Sequence, residues 1–137
     1  MANRIELLRR VPLFSDLEER DLEAVANTMR EVTFRAGQEV TTEGGGGVGF
    51  FIIEDGRATV TVHGTERGKL GPGDYFGEVA LIDRTDRTAT ITADTELRCL
   101  GMTSWDFRPI VEANGTIAWK LMQALARKLQ DAERELP

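Results

Sequence analysis

Residues 71–90 have the sequence GPGDYFGEVALIDRTDRTAT, which differs from an ordinary core segment and from an ordinary surface loop. The aromatic pair at 75–76 ends a predicted strand and is followed directly by Gly77. A short helical run and a polar loop come next, and a second strand is predicted from Thr88 to Ala93. Because glycine has no side chain, Gly77 allows the backbone to turn tightly here. The segment therefore predicts two strands joined through a sharp glycine turn.

The same segment carries groups that suit a phosphate attached to a sugar. The free amide N–H groups of residues 77–80 would open a helical turn, and such an N-terminus attracts anions. Glu78 offers a carboxylate that can accept a hydrogen bond from a sugar hydroxyl. Arg84 and Arg87 are nearby cations, and an arginine can bind a phosphate through two parallel hydrogen bonds. No catalytic group stands beside them, so the segment predicts binding.

Turn signals around this segment predict an all-β sandwich or roll. Twelve of the fourteen glycines lie between Gly37 and Gly77, and turns recur there about every 8–10 residues, the spacing of short strands. Val60 and Val62 alternate with threonines, which is typical of a half-buried strand. The strands predicted in this way span residues 32–34, 50–53, 59–62, 88–93 and 97–102.

The two ends of the chain are predicted to be helical. The predicted helices span residues 3–10, 17–29, 105–113 and 116–136. The pattern from Ser15 to Glu18 is a capping box, which predicts that the second helix begins at Leu17. Pro109 lies inside the third helix and predicts a kink or a late start. Trp105 and Trp119 are predicted to anchor the packing of their helices.

The last helix carries two apolar stripes. Its length would be about 30 Å, whereas a compact chain of this size has a radius of gyration of roughly 14 Å. We therefore expect one stripe to cover the core and the other to meet a second copy of the chain. The alternative is one broad amphipathic helix folded on the roll. The heptad seam consists of Ala118, Met122, Leu125, Leu129, Ala132 and Leu136, and the second stripe of Ile117, Leu121 and Ala124.

Composition bounds the class of protein. The chain has 137 residues, which favours one domain with one core. Its net charge of −6 argues against a nucleic-acid-binding surface, because phosphate neutralisation needs a basic face. Its longest apolar runs have four residues, as in 50–53, whereas a membrane span needs about 20. The sequence has no signal-peptide pattern at its start, and a cytoplasmic location is expected.

The cysteine and histidine counts exclude several enzyme classes. Cys99 is the one cysteine, which forbids an internal disulfide and fits a reducing compartment. It is predicted to be a buried strand residue. His63 is the one histidine, so multi-histidine metal sites, including that of a cupin-like enzyme, are excluded. The sequence shows no nucleophile paired with a base, and we expect neither catalysis nor a bound metal or cofactor.

The run from Phe76 to Leu81, followed by Arg87 to Thr90, resembles the phosphate-binding cassette of cyclic nucleotide-binding domains. The resemblance covers nearly the whole chain and includes Pro12-Leu13-Phe14, Phe34 to Gly37, Glu43-Gly44, Phe51 to Ile53 and Gly56. It implies a mainly β fold, an eight-stranded double-stranded β-helix or β-roll with flanking helices. The expected single domain, 1–137, divides into N-terminal helices at 1–30, the roll at 31–103 and hinge or lid helices at 104–137.

The resemblance also implies roles for individual residues. Arg87 matches the arginine that pairs with the cyclic phosphate, and Glu78 matches the acid that binds the ribose 2′-OH. Gly77 and Ala80 match backbone positions that line the phosphate and ribose, and Thr88 falls beside the phosphate and base. The whole set of expected ligand-binding residues is Gly77, Glu78, Val79, Ala80, Arg87, Thr88 and Ala89. The implied ligand is cAMP, with cGMP as the second choice.

Arg84 and Arg87 have competing interpretations. Arg84 matches no family position and is expected to be solvated. Arg87 could instead form a surface ion pair with Asp83 or Asp86, which is the usual role of an arginine in such a loop.

The sequence departs from the catabolite-activator branch of the family in two ways. The long-helix position whose hydroxyl contacts adenine in that branch corresponds to Ala132, which has no hydroxyl. Base recognition would then come from Arg127, Lys128 or Asp131, from a partner chain, or from apolar contact. The chain also lacks the helix-turn-helix of that branch, so the resemblance implies a sensor with an unnamed effector. The alternative is a degenerate roll that serves as a dimerisation or docking module.

Overall fold

A computed structural model describes residues 3–41, 49–82 and 89–136. The described helices are α1 (Arg4–Arg9), α2 (Glu19–Ala26), α3 (Ser104–Ala113) and α4 (Gly115–Arg134), with a 3-10 helix at Glu78–Leu81. The strands are β1 (Arg30–Phe34), β2 (Glu39–Thr41), β3 (Gly49–Asp55), β4 (Ala58–Val62), β5 (Thr65–Leu70), β6 (Tyr75–Phe76), β7 (Thr90–Ala93) and β8 (Leu97–Thr103). The chain divides into a helical unit, Met1–Thr28 with Arg108–Pro137, and a β unit, Met29–Phe107.

The β unit contains two four-stranded antiparallel sheets. Their strand orders are β1-β8-β3-β6 and β2-β7-β4-β5. Since all pairing is antiparallel and most neighbours are distant in sequence, the strands wind as a roll and not as a simple meander. The mainly β class and the eight strands implied by the resemblance are confirmed. One buried apolar cluster of this unit is formed by Ile53, Ala58, Ile91, Ala93, Leu97 and Cys99.

Strand pairing explains the predicted alternation. Val60 pairs with Ile91 and Ala58 pairs with Ala93, so the apolar residues of β4 and β7 share one face. His63 and Gly64 both have positive φ, 52° and 77°, and form the two-residue turn between β4 and β5. Positive φ at both central positions matches the right-handed twist of the flanking strands. The turn predicted at this point is confirmed.

The helical unit begins as predicted but differs at α2. Asn3 caps α1, and its side chain accepts a hydrogen bond from the backbone N–H of Ile5 at 2.8 Å. The capping-box prediction at Ser15 is wrong, because the Ser15 hydroxyl donates to the Pro12 carbonyl at 3.0 Å and supports a turn instead. α2 therefore begins two residues later than predicted, and Glu18 occupies its N-cap without a side-chain hydrogen bond.

The last two helices are separated at Asn114. α3 begins at Ser104 and continues through Pro109, so of the two predicted alternatives the late start is wrong and the kink stays a prediction. Asn114 caps α4, and its side chain accepts from the N–H groups of residues 116 and 117 at 3.0 and 3.2 Å. The predicted anchoring role of the tryptophans is also wrong, since Trp105 and Trp119 are 59% and 61% exposed.

Candidate functional site

The entrance to the predicted binding segment is fixed by β3. Tyr75 and Phe76 pair with Ile52 and Phe51 of that strand. Just before them, the Ile53 N–H donates to the Asp74 carbonyl at 2.8 Å, and Gly73 N–H donates to the Ile53 carbonyl at 2.8 Å. Backbone hydrogen bonds to Ile53 of β3 therefore hold the turn at 71–74, and β6 follows it directly.

The segment then turns at Gly77 into a 3-10 helix. Gly77 has φ +87°, a left-handed conformation that disfavours any residue with a Cβ. Glu78 is the first residue of the 3-10 helix and is half-buried, and Leu81 at its end is buried with 3% exposure. The 3-10 helix lies beside β3. The predicted sharp turn and short helical run are confirmed.

The segment after the predicted site is held by β2. The Thr41 hydroxyl donates to the Ala89 carbonyl at 3.3 Å, and Thr41 pairs with Ile91 across the sheet. Ala89 is half-buried at the start of the polypeptide that leads into β7. No local pattern in the sequence indicates the role of Thr41, because its partner Ala89 lies 48 residues away.

Two of the predicted ligand contacts, Arg87 and Thr88, lie outside the described residues. Arg84 and the two alternative ion-pair partners of Arg87, Asp83 and Asp86, also lie outside the described residues. For Val79 and Ala80, the structure describes the backbone, which belongs to the 3-10 helix. The structure therefore brings Gly77, Glu78 and the 3-10 backbone together against β3, while the arginine and threonine remain predictions.

Comparison with known proteins assigns the family. Residues 31–114 match the cyclic nucleotide-binding domain family. The chain belongs to this family. The matched region runs from β1 through the 3-10 helix to the end of α3, so the family assignment covers both sheets and the segment at 71–90. The resemblance stated from the cassette residues is confirmed.

Relatives of this cyclic nucleotide-binding domain include both regulatory subunits and transcriptional regulators. It is 41% identical over 95 residues to the cAMP-dependent protein kinase regulatory subunit of Schizosaccharomyces pombe, covering 67% of this chain and 23% of that protein. The N-terminal domain of a transcriptional regulator from Streptomyces coelicolor has TM-score 0.85 and 29% identity, with 93% of each chain covered.

The regulatory domain of Toxoplasma gondii PKA, solved with cAMP, has TM-score 0.70 and 32% identity, covering 78% of this chain and 42% of that one. The chain spans about a quarter of the length of the curated relatives it matches.

The predicted base and lid residues lie on α4. The Arg127 guanidinium forms an ion pair with the Asp16 carboxylate inside the helical unit. Asp131 pairs with Arg134 one turn further on, at 3.8 Å. Lys128 and Ala132 are exposed. Arg127 is thus paired with the turn that precedes α2, and its role in base recognition stays a prediction.

The chemistry of Cys99 argues against a nucleophilic role. Burial, and secondarily the nearby Glu54 carboxylate, raises the pKa of its thiol to about 12. The thiol therefore stays protonated at neutral pH, and only a thiolate is a strong nucleophile. Within the described ranges, no cluster of three or more histidine, cysteine, aspartate or glutamate side chains is arranged to hold a metal ion. No described helix is long and apolar enough to cross a bilayer.

Proposed function

We propose that this domain binds a cyclic nucleotide monophosphate, with cAMP preferred to cGMP, and acts as a regulatory sensor in the cytoplasm. The observation that carries the proposal is the left-handed turn at Gly77 into a 3-10 helix that begins with Glu78. The start of a helix carries backbone N–H groups without an intrahelical partner, and the first residue of this helix carries a carboxylate, a combination that suits a phosphate joined to a ribose. The preference for cAMP is supported by the regulatory relatives, whose names refer to cAMP.

The proposed roles follow the family pattern. Arg87 neutralises the cyclic phosphate, and the N–H groups of the 3-10 helix donate hydrogen bonds to its oxygens. Glu78 accepts a hydrogen bond from the ribose 2′-OH. Thr88 lies next to the phosphate and base, and the remaining contacts come from Gly77, Val79, Ala80 and Ala89. The described Thr41–Ala89 hydrogen bond supports this arrangement, since it restrains the backbone two residues after Arg87.

Calorimetric titration with cAMP and cGMP in parallel tests the proposal. We expect saturable binding of both nucleotides, with the smaller dissociation constant for cAMP. A degenerate roll that acts only in docking predicts no heat of binding. It also predicts an unchanged melting temperature at saturating nucleotide, because a ligand that binds the native state must stabilise that state. The absence of both signals would establish the degenerate alternative.

The long helix α4 is proposed as the lid and signal relay. A ligand moves a helix only when it binds one helix position more tightly than another. The helix begins at a distinct cap, Asn114, which separates it from α3 and supplies the hinge. We expect slower amide hydrogen exchange along α4 when cAMP is bound, and equal exchange rates with and without the nucleotide would contradict a lid.

The exposed stripe of α4 is proposed as a homodimer seam. The stripe Ile117, Leu121 and Ala124 is buried, whereas the heptad positions Met122, Leu125, Leu129 and Leu136 are 37–71% exposed. Apolar residues repeated at heptad spacing favour pairing with a second helix of the same kind. The exposed seam therefore supports the two-stripe interpretation over a single broad stripe folded on the roll.

Replacing Leu129 with lysine tests the seam. We expect the dimer dissociation constant to rise by at least about tenfold, since a charge would enter an apolar contact. Sedimentation velocity over a concentration series measures the change. Gln130→Lys is the matched control, because residue 130 is exposed, adjacent and off the seam. A wild-type chain that stays monomeric, or equal effects of the two substitutions, would contradict the proposed dimer.

A further inference from the structure

A groove of about 440 Å³ lies on the β unit, separate from the residues expected to bind nucleotide. It is open on one side and its walls are mainly apolar. A volume of this size suits a small ligand or a few side chains of a partner. The groove is lined by Arg30, Val32, Phe34, Gly49, Phe51, Gly101, Met102, Thr103 and Asp106, which come from β1, β3, β8 and the start of α3.

Two glycines shape the floor of this groove around Phe51. A Cβ placed on Gly49 or on Gly101 would approach the Phe51 ring to 2.9 Å, so the ring occupies the space that either side chain would fill. The ring also contacts Phe34 edge-on, with centroids 5.7 Å apart, and is half-buried. The floor is thus a flat aromatic surface that depends on the absence of two side chains.

The two charged side chains of the groove, Arg30 and Asp106, do not form an ion pair with each other. The Asp106 carboxylate accepts a hydrogen bond from the Thr103 hydroxyl at 3.0 Å, and this hydroxyl in turn accepts from the Asp106 N–H at 3.2 Å. Asp106 also lies in the first turn of α3, where a negative charge is favoured. Arg30 is exposed, and its guanidinium forms no hydrogen bond or ion pair with any described residue. The groove therefore combines an apolar floor with two charges, the Asp106 carboxylate held by Thr103 and the Arg30 guanidinium, which has no ion-pair partner among the described residues.

We propose that this groove docks a segment of a partner protein that presents an aromatic or large aliphatic side chain next to a carboxylate. The side chain would cover Phe34 and Phe51, and the carboxylate would pair with Arg30 in a bidentate geometry. β1 is an edge strand of its described sheet, so an extended segment can approach along the groove without meeting a further strand of that sheet. Aromatic side chains and arginines are also the residues that contribute most to protein interfaces.

The acidity of the whole chain does not oppose this local preference. Charges in solvent are screened over about 10 Å at moderate ionic strength. A carboxylate at the groove therefore responds mainly to the charges that line it: the Arg30 guanidinium attracts it and the Asp106 carboxylate repels it, so the proposed contact requires the carboxylate to lie on the Arg30 side. The groove shares no lining residue with the set expected to bind nucleotide, and peptide binding and nucleotide binding are measured separately, so either can fail without the other. Its floor residue Phe51 does contact Phe76, where the cassette run begins, with ring centroids 5.4 Å apart.

Backbone amide NMR titrations with synthetic peptides test the proposal. The probes are acetyl-GEWEG-amide, its lysine analogue acetyl-GKWKG-amide and its alanine analogue acetyl-GEAEG-amide. We expect saturable shifts of the Val32, Gly101 and Thr103 amides with the acidic tryptophan peptide, with a dissociation constant on the order of 1 mM. The other two peptides are expected to bind at least about fivefold more weakly, since each lacks one of the two contacts.

Arg30→Glu and Arg30→Gln test the role of the cation, and Arg35→Glu is the matched control outside the groove. We expect both Arg30 variants to lose at least about fivefold in affinity for the acidic peptide, while the control binds as the wild type does. Equal binding of the lysine peptide, or unchanged affinity in a folded Arg30 variant, would overturn the proposal. A lack of shifts at the three groove amides with every peptide would also overturn it.

Discussion

Replacing Arg87 with alanine is expected to weaken cAMP binding on the order of a hundredfold or more, a loss of about 3–5 kcal/mol. The cyclic phosphate carries one negative charge, and in the proposed site Arg87 supplies its counter-charge. Without the guanidinium, the phosphate would enter a partly desolvated cavity with only backbone N–H groups as partners. Breaking one side of such a pair costs more than the pair itself contributes, because the remaining charge is left uncompensated.

Two further substitutions separate charge from geometry. Glu78→Ala is expected to cost less, about 1–3 kcal/mol, because its partner is a neutral hydroxyl. Arg84→Ala is the matched control in the same loop, and we expect it to bind cAMP as tightly as the wild type. Parallel calorimetric titrations measure all three. Wild-type affinity in Arg87→Ala, or an equal loss in Arg84→Ala, would remove Arg87 from the site and favour its role as a surface ion-pair partner.

Strands in which apolar and polar residues alternate were predicted from the sequence. Strands without this alternation were missed. β4 and β7 alternate because one face of each packs in the core of the β unit, which is visible as valine and isoleucine at every second position. β5, with the sequence TERGKL, is an edge strand whose residues are mostly exposed. Its polar residues need no alternation, so the strand is defined by its pairing with β4 and not by its composition.

The same distinction applies to the site. The turn at Gly77 and the helical run from Glu78 were predicted because they depend on a local pattern of residue types, while their roles in binding stay predictions. The Thr41–Ala89 contact and the groove beneath Arg30 were not predicted, since each joins strands far apart in the sequence. The capping box at Ser15 failed for a related reason: its hydroxyl had a nearby competing acceptor, the Pro12 carbonyl, which the pattern does not include.

The largest expected effect on stability comes from Gly56→Ala, with a loss of about 3–5 kcal/mol in the free energy of unfolding. Gly56 has φ +100° in the turn between β3 and β4. An added Cβ would overlap the backbone carbonyl oxygen of Glu96 and approach the Leu97 Cα to 3.0 Å. Both atoms belong to backbone, which cannot move aside as the end of a side chain can.

The backbone at Glu96 and Leu97 cannot shift easily, because the β7–β8 turn that precedes it is hydrogen-bonded to the β3–β4 turn. The Asp94 N–H donates to the Arg57 carbonyl at 2.9 Å, and the Arg57 N–H donates to the Thr95 hydroxyl at 3.1 Å. Relieving the overlap would therefore break contacts between the β3–β4 turn and the β7–β8 turn. The predicted loss thus combines left-handed strain at residue 56 with the separation of two turns.

Two further glycine variants separate the effect of backbone strain from the effect of the steric overlap. Gly64→Ala has φ +77° and no atom within 4 Å of the added Cβ, so it measures conformational strain alone, about 1 kcal/mol. Gly68→Ala also has open space and no positive φ, and we expect a change within about 0.5 kcal/mol. Urea denaturation of the three variants gives the comparison. If Gly56→Ala were no less stable than Gly64→Ala, the close approach of the two turns would contribute nothing, and the glycine would be required there only for its backbone conformation.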